Sequence, residues 1–136
     1  MRIFLGGTCN NSTWREEFIE MIKDVDGLSF FNPVVDDWTP EAQANEEREK
    51  KVCTIQLYVI TKEMKGVFSI AEAVDSSNKQ PDNTVFVVIP STSVDESMSR
   101  SLFATYKMVR DNGAHCFSSL ESCADYLIER TKSLKI

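Results

Sequence analysis

Five short apolar runs, at 2–6, 28–31, 55–60, 84–89 and 114–117, punctuate a chain that otherwise repeats its apolar residues at helical intervals. Short runs with few polar interruptions predict strands buried on both faces. The intervening stretches predict helices over 13–23, 40–52, 67–78, 94–112 and 120–133. Local chemistry supports several boundaries. Thr13 and Glu16 have capping-box spacing, with Phe18, Ile19 and Ile22 as the apolar stripe behind them. Thr39 followed by Pro40 reads as a cap and a first helical residue. Asn32-Pro33 closes the second run, Pro90 the fourth, and Gly113 stops the helix before the last run. The second helix is polar almost all round, so it is expected to cover a surface or line a cleft. On the third, a helical wheel groups Val67, Ile70, Ala71 and Val74 as the buried side and sets Glu72 with Ser69 and Ser76 toward solvent.

Strict alternation of strand and helix, with near-continuous apolar strands, predicts an α/β protein: a parallel sheet with helices on both faces. Five strands suit a flavodoxin-like layout in the order 2-1-3-4-5, and one domain over 1–136 accounts for the whole chain. In such a sheet a ligand site forms outside the carboxyl ends of the strands where the order reverses, here between strands 1 and 3. The loops at 6–12, 32–39 and 61–66 would line it, and they are rich in polar and small residues: Gly6, Gly7, Thr8, Asn10, Asn11, Asn32, Asp36, Asp37 and Trp38. Gly6-Gly7-Thr8 fits either a tight strand-to-helix turn or a backbone that a ligand approaches closely. Asp36-Asp37-Trp38 fits either a solvated turn or an acid beside an aromatic plate.

Composition then removes several function classes. At 136 residues and 42% hydrophobic content the chain suits one core. A net charge of −6 argues against a nucleic-acid polymer as partner, because phosphate backbones are held by Lys and Arg. No apolar run approaches the ~20 residues that span a bilayer, so no membrane partner is expected. The opening residues turn polar too soon for a signal peptide. Cys9, Cys53, Cys116 and Cys123 form no C-x-x-C pair, which predicts reduced thiols and a cytoplasmic protein. The single His115 leaves no zinc set and no Ser-His-Asp or Cys-His mechanism, so neither metal nor cofactor is expected. Neither G-x-G-x-x-G nor G-x-x-x-x-G-K-[ST] is present. Acid–base and nucleophilic work would fall to carboxylates near the rim: Asp36, Asp37, Glu46, Glu47, Glu63 and Glu72. Arg15 and Lys65 are the cations placed to meet a phosphate there.

Three segments, FLGGTCNNSTWREEFI, FFNPVVDDWT and LYVITKEMKGVFSIAEAVDSSNK, lie within residues 3–79. As a set they resemble the nucleoside 2-deoxyribosyltransferase-like family, especially its small phage and bacterial members, which are related to deoxynucleotide N-hydrolases. The resemblance implies displacement at the anomeric carbon of a deoxynucleoside or deoxynucleotide. Glu72 would be the nucleophile and form a covalent deoxyribosyl-enzyme, Glu46 (with Glu47 as its neighbour) would hold the deoxyribose, and Phe4, Gly6 and Gly7 would contact the nucleoside. Asp36 or Asp37 would protonate the leaving base, and Thr8, Asn10, Asn32 and Trp38 would complete the binding surface. It also implies a homo-oligomer, for which Phe103 and Tyr106 on the fourth helix are candidate contacts. The chain departs from better-known members in three places. Phe4 stands where they have Tyr, Glu46 where they have Asp, and Ile70 and Val74 where glycines flank the nucleophile. Those departures keep a second reading open, a catalytically silent module that binds nucleotides in the same cleft. Cleavage of a ribosyl–nicotinamide bond and a plain structural role are weaker alternatives.

Overall fold

A computed structural model describes residues 1–9 and 11–134. Strands β1 (Arg2–Gly7), β2 (Ser29–Phe31), β3 (Ile55–Ile60), β4 (Thr84–Val88) and β5 (His115–Phe117) alternate with helices α1 (Trp14–Ile22), α2 (Pro40–Val52), α3 (Phe68–Lys79), α4 (Glu96–Asp111) and α5 (Leu120–Ser133). A single 3₁₀ turn, Pro81–Asn83, which the apolar pattern gives no hint of, leads into β4. The strands form one sheet in the order β2-β1-β3-β4-β5, and every pairing is parallel. This is the flavodoxin-like α/β arrangement that the alternation predicts, and the switch point falls between β1 and β3.

Period-two alternation within the strands divides the core into two layers. Ile3 and Leu5, Ile55, Leu57 and Val59, and Val85 and Val87 point to one face, where α1 supplies Trp14, Phe18 and Ile22 and α5 supplies Leu120, Cys123 and Leu127. Phe4, Tyr58, Ile60 and Phe86 point to the other and meet Ala73 of α3 and Val109 of α4. Among the described residues, no helix is long and apolar enough to cross a membrane.

Helix starts follow side-chain chemistry where the backbone permits it. Thr39 accepts from the Ala42 amide at 3.1 Å, Asp95 from Met98 at 2.8 Å and Ser119 from Ser122 at 3.1 Å. The capping box expected at Thr13 does not form. Thr13 sits at φ −102°, ψ 11°, outside the extended conformation that aims a cap oxygen at the first turn, and it makes no side-chain cap bond. The start of α1 is held instead by Trp14 and Arg15, which reach back to the end of β1.

The wheel for α3 is corrected in part: Ile70 and Val74 pack against the second core layer as it predicts. The residues buried on it are Ala73, Ser76 and Ser77, while Val67 stands 69% exposed and Ala71 is exposed. Ser76 Oγ shares a 2.6 Å hydrogen bond with Thr84 Oγ1, Ser77 Oγ donates to the Val74 carbonyl at 2.7 Å, and Asn112 Nδ2 donates to Ser77 Oγ at 3.0 Å. Small side chains whose hydroxyls are satisfied let α3 approach β4 and α4 closely without leaving a buried polar group unpaired. Hydrophobicity alone cannot anticipate that face.

The seam between β1 and β3 depends on Gly7. Its φ is +123°, and a Cβ there would stand 2.1 Å from the Val59 carbonyl oxygen. Gly7→Ala is therefore expected to lower the unfolding free energy by about 1–3 kcal/mol, through strained backbone and overpacking against main chain that cannot yield. Urea denaturation measures this as a lower midpoint. Gly66→Ala is the matched control, since nothing lies within 4 Å of an added Cβ there, and its midpoint should stay at the wild-type value.

Candidate active site

The carboxyl end of β1 is built around a buried guanidinium. Arg15, 4% exposed, donates to the carbonyls of Leu5 (3.0 Å), Thr8 (2.6 Å) and Gly7 (3.3 Å) and lies 3.7 Å from Cys9 Sγ. Trp14 Nε1 donates to the same Thr8 carbonyl at 2.8 Å. The Thr8 amide bonds Val59 O at 2.9 Å, and its hydroxyl accepts from the Thr61 amide at 3.0 Å. Turning these carbonyls inward fixes the path of the loop. It also removes Arg15 from the rim, where sequence had placed it as a phosphate-binding cation. Gly6 is needed for a different reason: a Cβ would sit 2.6 Å from the ring of Tyr58 on β3.

Across the seam, α2 and α3 bring a group of charged and aromatic side chains together. Lys50 of α2 and Glu72 of α3 form an ion pair, with side chains 30% and 15% exposed. Glu46, one turn before Lys50 on the same helix face, is half-buried beside them. Burial holds the Glu46 carboxyl above its ordinary value; the nearby Glu72 and Glu47 charges push the same way, and Lys50 and Arg15 oppose them. The Lys50 ammonium is 5.5 Å from the centre of the Phe4 ring and 5.8 Å from that of Phe68. Tyr58, buried below, has its phenol raised by burial and by the charges of Glu72, Asp75 and Glu46. Glu72 is thus a partly buried, paired carboxylate, and the solvent-facing position suggested by the wheel is not the one it occupies.

Every residue of α2 keeps at least partial exposure, so apolar burial does not seat this helix. Polar ties do. Buried Gln56 of β3 donates to the carbonyls of Lys50 (2.9 Å) and Cys53 (3.3 Å), and Arg2 of β1 pairs with Glu49 at 2.8 Å. These bonds fix the last turns of α2, from which Lys50 projects. Sequence reasoning did not single out Lys50, Tyr58 or Phe68. The available signal was the Glu46–Lys50 spacing on a helix expected to line a cleft.

The other predicted residues are distributed around this group. Phe4 is 1% exposed and packs 6.0 Å from the Phe31 ring, so it forms the floor of the group. Asn32 is exposed and its Oδ1 accepts from the Val34 amide at 3.0 Å, an Asx turn that opens the 32–39 loop. Asp36, Asp37 and Trp38 are exposed on that loop, and Glu47 is exposed on α2. Asn10 lies outside the described residues. Exposed Val34, Val35, Trp38, Val67 and Phe68 form an apolar rim on the two segments flanking the carboxylates. Two cavities lie away from this group. One of about 530 Å³ lies between the end of β4 and α4, by Leu102, Phe103 and Tyr106. Another of about 350 Å³ is lined by Ser12, Trp14, Thr61, Glu63 and Pro90, and Glu63 Oε2 is buried without a hydrogen-bond partner.

The arrangement offers one carboxylate ion-paired with a lysine, and beside it a second carboxyl that burial raises above its ordinary value. Such a pair can attack an electrophilic carbon and manage a proton. Comparison with protein families gives a match in keeping with that chemistry: the family described as nucleoside 2-deoxyribosyltransferase like, over residues 1–92. That span contains β1 to β4 and every residue of the group. Comparison with curated proteins returns no match.

Glu46 also makes a testable contribution to stability. Because its folded-state carboxyl is raised, it favours folding most below its ordinary value of 4.5 and progressively less as pH rises through the raised value. Glu46→Gln removes that dependence. Relative to wild type, its melting temperature should rise as pH increases from 4.5 toward neutrality, read by thermal denaturation in a pH series.

Proposed function

The chain belongs to the nucleoside 2-deoxyribosyltransferase-like family, and from that premise we propose that it cleaves or transfers the N-glycosidic bond of deoxynucleosides or deoxynucleotides, with Glu72 as nucleophile. The observation that carries the reading is the half-buried Glu72 carboxylate facing Glu46 at the carboxyl rim of the β1/β3 switch point. In the first displacement a Glu72 oxygen bonds C1′ while the C1′–N bond breaks and the base leaves with a proton. In the second, water or another base takes C1′ and the carboxylate is released. Splitting the reaction in two and stabilising an oxocarbenium-like transition state with an adjacent carboxylate lowers each barrier. Glu46, whose environment favours the protonated carboxyl, is the better supported proton donor and sugar contact. Asp36 and Asp37 have only their place on the rim loop to support that duty. Gly6, Gly7 and Thr8 shape the wall, and Asn32, Trp38 and the apolar rim offer a surface for the base. The free thiols of Cys9, Cys53, Cys116 and Cys123 suit a reducing cytoplasm as the place of action.

One observation favours the silent-module reading: Lys50 already occupies a Glu72 oxygen. Incubation with a panel of deoxynucleosides and deoxynucleotides, with free base followed by chromatography, separates the two. Wild type is expected to release base, Glu72→Gln to lose at least roughly 10³-fold in rate, and Glu46→Gln to lose roughly 10²–10⁴-fold. Saturable nucleotide binding without release would establish the silent module instead, and release surviving Glu72→Gln would remove Glu72 as nucleophile.

We further propose that the protein is a homo-oligomer, with α4 as one contact. Phe103, 62% exposed, lines the apolar cavity with Leu102 and Tyr106, and Met108 further along the helix is 56% exposed. Phe103→Asp is expected to shift the mass in sedimentation velocity from an oligomer to a monomer. A monomeric wild type would refute the contact.

A further inference from the structure

The reaction as proposed leaves the Lys50 ammonium without a task, although it is the cation closest to the nucleophile. It differs from the protein's ordinary surface lysines. Lys23, Lys79 and Lys132 pair with neighbours three or four residues away, and both partners are well exposed. Lys50 instead reaches from α2 to α3, its ammonium lies over the Phe4 and Phe68 rings, and the backbone of its helix turn is tied to β3 through Gln56. The groups beside Glu72 are Lys50 and Glu46 on α2 and Tyr58 on β3, while Asp75, one turn along α3, is exposed and held by its own helix neighbour. Lys50 is the one cation in that set.

We propose that Lys50 is a positioning residue for Glu72 that favours the second displacement over the first. The inference rests on Glu72 being the nucleophile. In the first displacement the Glu72 oxygen gives its electron pair to C1′, the C1′–N bond breaks, and the base nitrogen keeps that pair and takes the proton of the Glu46 carboxyl. The carboxylate has become a neutral ester, and Lys50 has lost its charged partner. In the second displacement a water oxygen or a base nitrogen bonds C1′, the C1′–O bond breaks, and its electron pair returns to Glu72. The proton of the attacking group passes to the Glu46 carboxylate. Lys50 regains its ion pair as the carboxylate leaves, so it stabilises the departing charge and keeps the covalent intermediate from accumulating. In the free enzyme the same contact holds Glu72 in one rotamer and offsets the facing carboxylate of Glu46.

The test uses the full chain as wild type, Lys50→Met, Lys50→Gln, Lys50→Arg and Glu72→Gln, with the best substrate from the panel. Intact-mass spectrometry after an acid quench reads the deoxyribosyl adduct, and chromatography reads base release as a function of pH. Lys50→Met and Lys50→Gln are expected to carry a several-fold larger adduct fraction than wild type. Their steady-state release should be about tenfold slower, the size of one charge-assisted hydrogen bond. The acid limb of their pH profiles should move to higher pH, and Lys50→Arg should restore both readouts. Either uncharged variant, folded by its thermal transition, suffices. Wild-type adduct level and pH profile in it would overturn the role of Lys50 while Glu72→Gln, still inactive, upheld the nucleophile. Failure of both uncharged variants to fold would show Lys50 to be a structural residue and would also overturn the inference. Release undiminished in Glu72→Gln, or absent from wild type with every substrate, would overturn the nucleophile itself and this inference with it.

Discussion

A buried guanidinium with backbone carbonyls for partners sets the geometry at the centre of this molecule. Arg15 draws the carbonyls of Leu5, Gly7 and Thr8 toward α1, and Gly7 lets β1 run against Val59 closer than a side chain would allow. Placing a guanidinium out of water is costly unless its donors are satisfied, and here carbonyl dipoles do the work that a carboxylate would do elsewhere. Because β1 and β3 meet at the switch point, this local arrangement fixes the height and direction of the wall from which the site is built. The loop after β1 is thereby a structural clamp first and a ligand surface second.

On the other side of the seam the physical problem is reversed. Helix α2 carries Glu46 and Lys50 on a segment that apolar burial does not hold. Its last turns are fixed by Gln56 and by the Arg2–Glu49 pair, and those polar ties tolerate a helix surface given over to charge. That freedom is what allows Glu46 and Lys50 to stand one turn apart beside Glu72. Burial and like charge move Glu46 toward its protonated form, while Glu72 has Lys50. The group adds little to stability by itself, since desolvation offsets most of what a partly buried ion pair gains. Its arrangement makes chemical sense as a device for placing two acids in different surroundings, one beside a cation and one desolvated.

The exposed apolar residues on both sides of this group belong to the same logic. Val34, Val35 and Trp38 on one loop and Val67 and Phe68 at the start of α3 remain in water, where a folding argument would bury them. A monomer gains nothing from such a rim. It is a surface suited to a flat, partly apolar ligand or to another subunit, and the buried serines of α3 show where the fold spent small residues to keep that helix close to the sheet.

The sequence by itself determined the class of fold and, through it, the sheet edge at which a candidate site is sought. Strand and helix periodicities are local, they depend on which side chains prefer to leave water, and so the five strands, their parallel order and the Thr39 cap were all legible. The likeness of residues 3–79 to a known family was legible for the same reason, since it resides in contiguous segments. What tertiary structure alone decided is which side chains meet. The Lys50–Glu72 contact joins residues 22 apart on two helices, and its existence depends on how Gln56 seats α2, which no periodicity records. Arg15 read as a rim cation because spacing cannot say that a long side chain folds back on its own strand. The Thr13 cap failed because its backbone angles are set by Trp14 and Arg15. The buried face of α3 was only partly assigned: Ile70 and Val74 do pack on the core, while Ser76, read as solvent-facing, is buried through a paired hydroxyl. Hydrophobic pattern reports transfer from water one residue at a time; the candidate site is made of pairings, and these exist after packing.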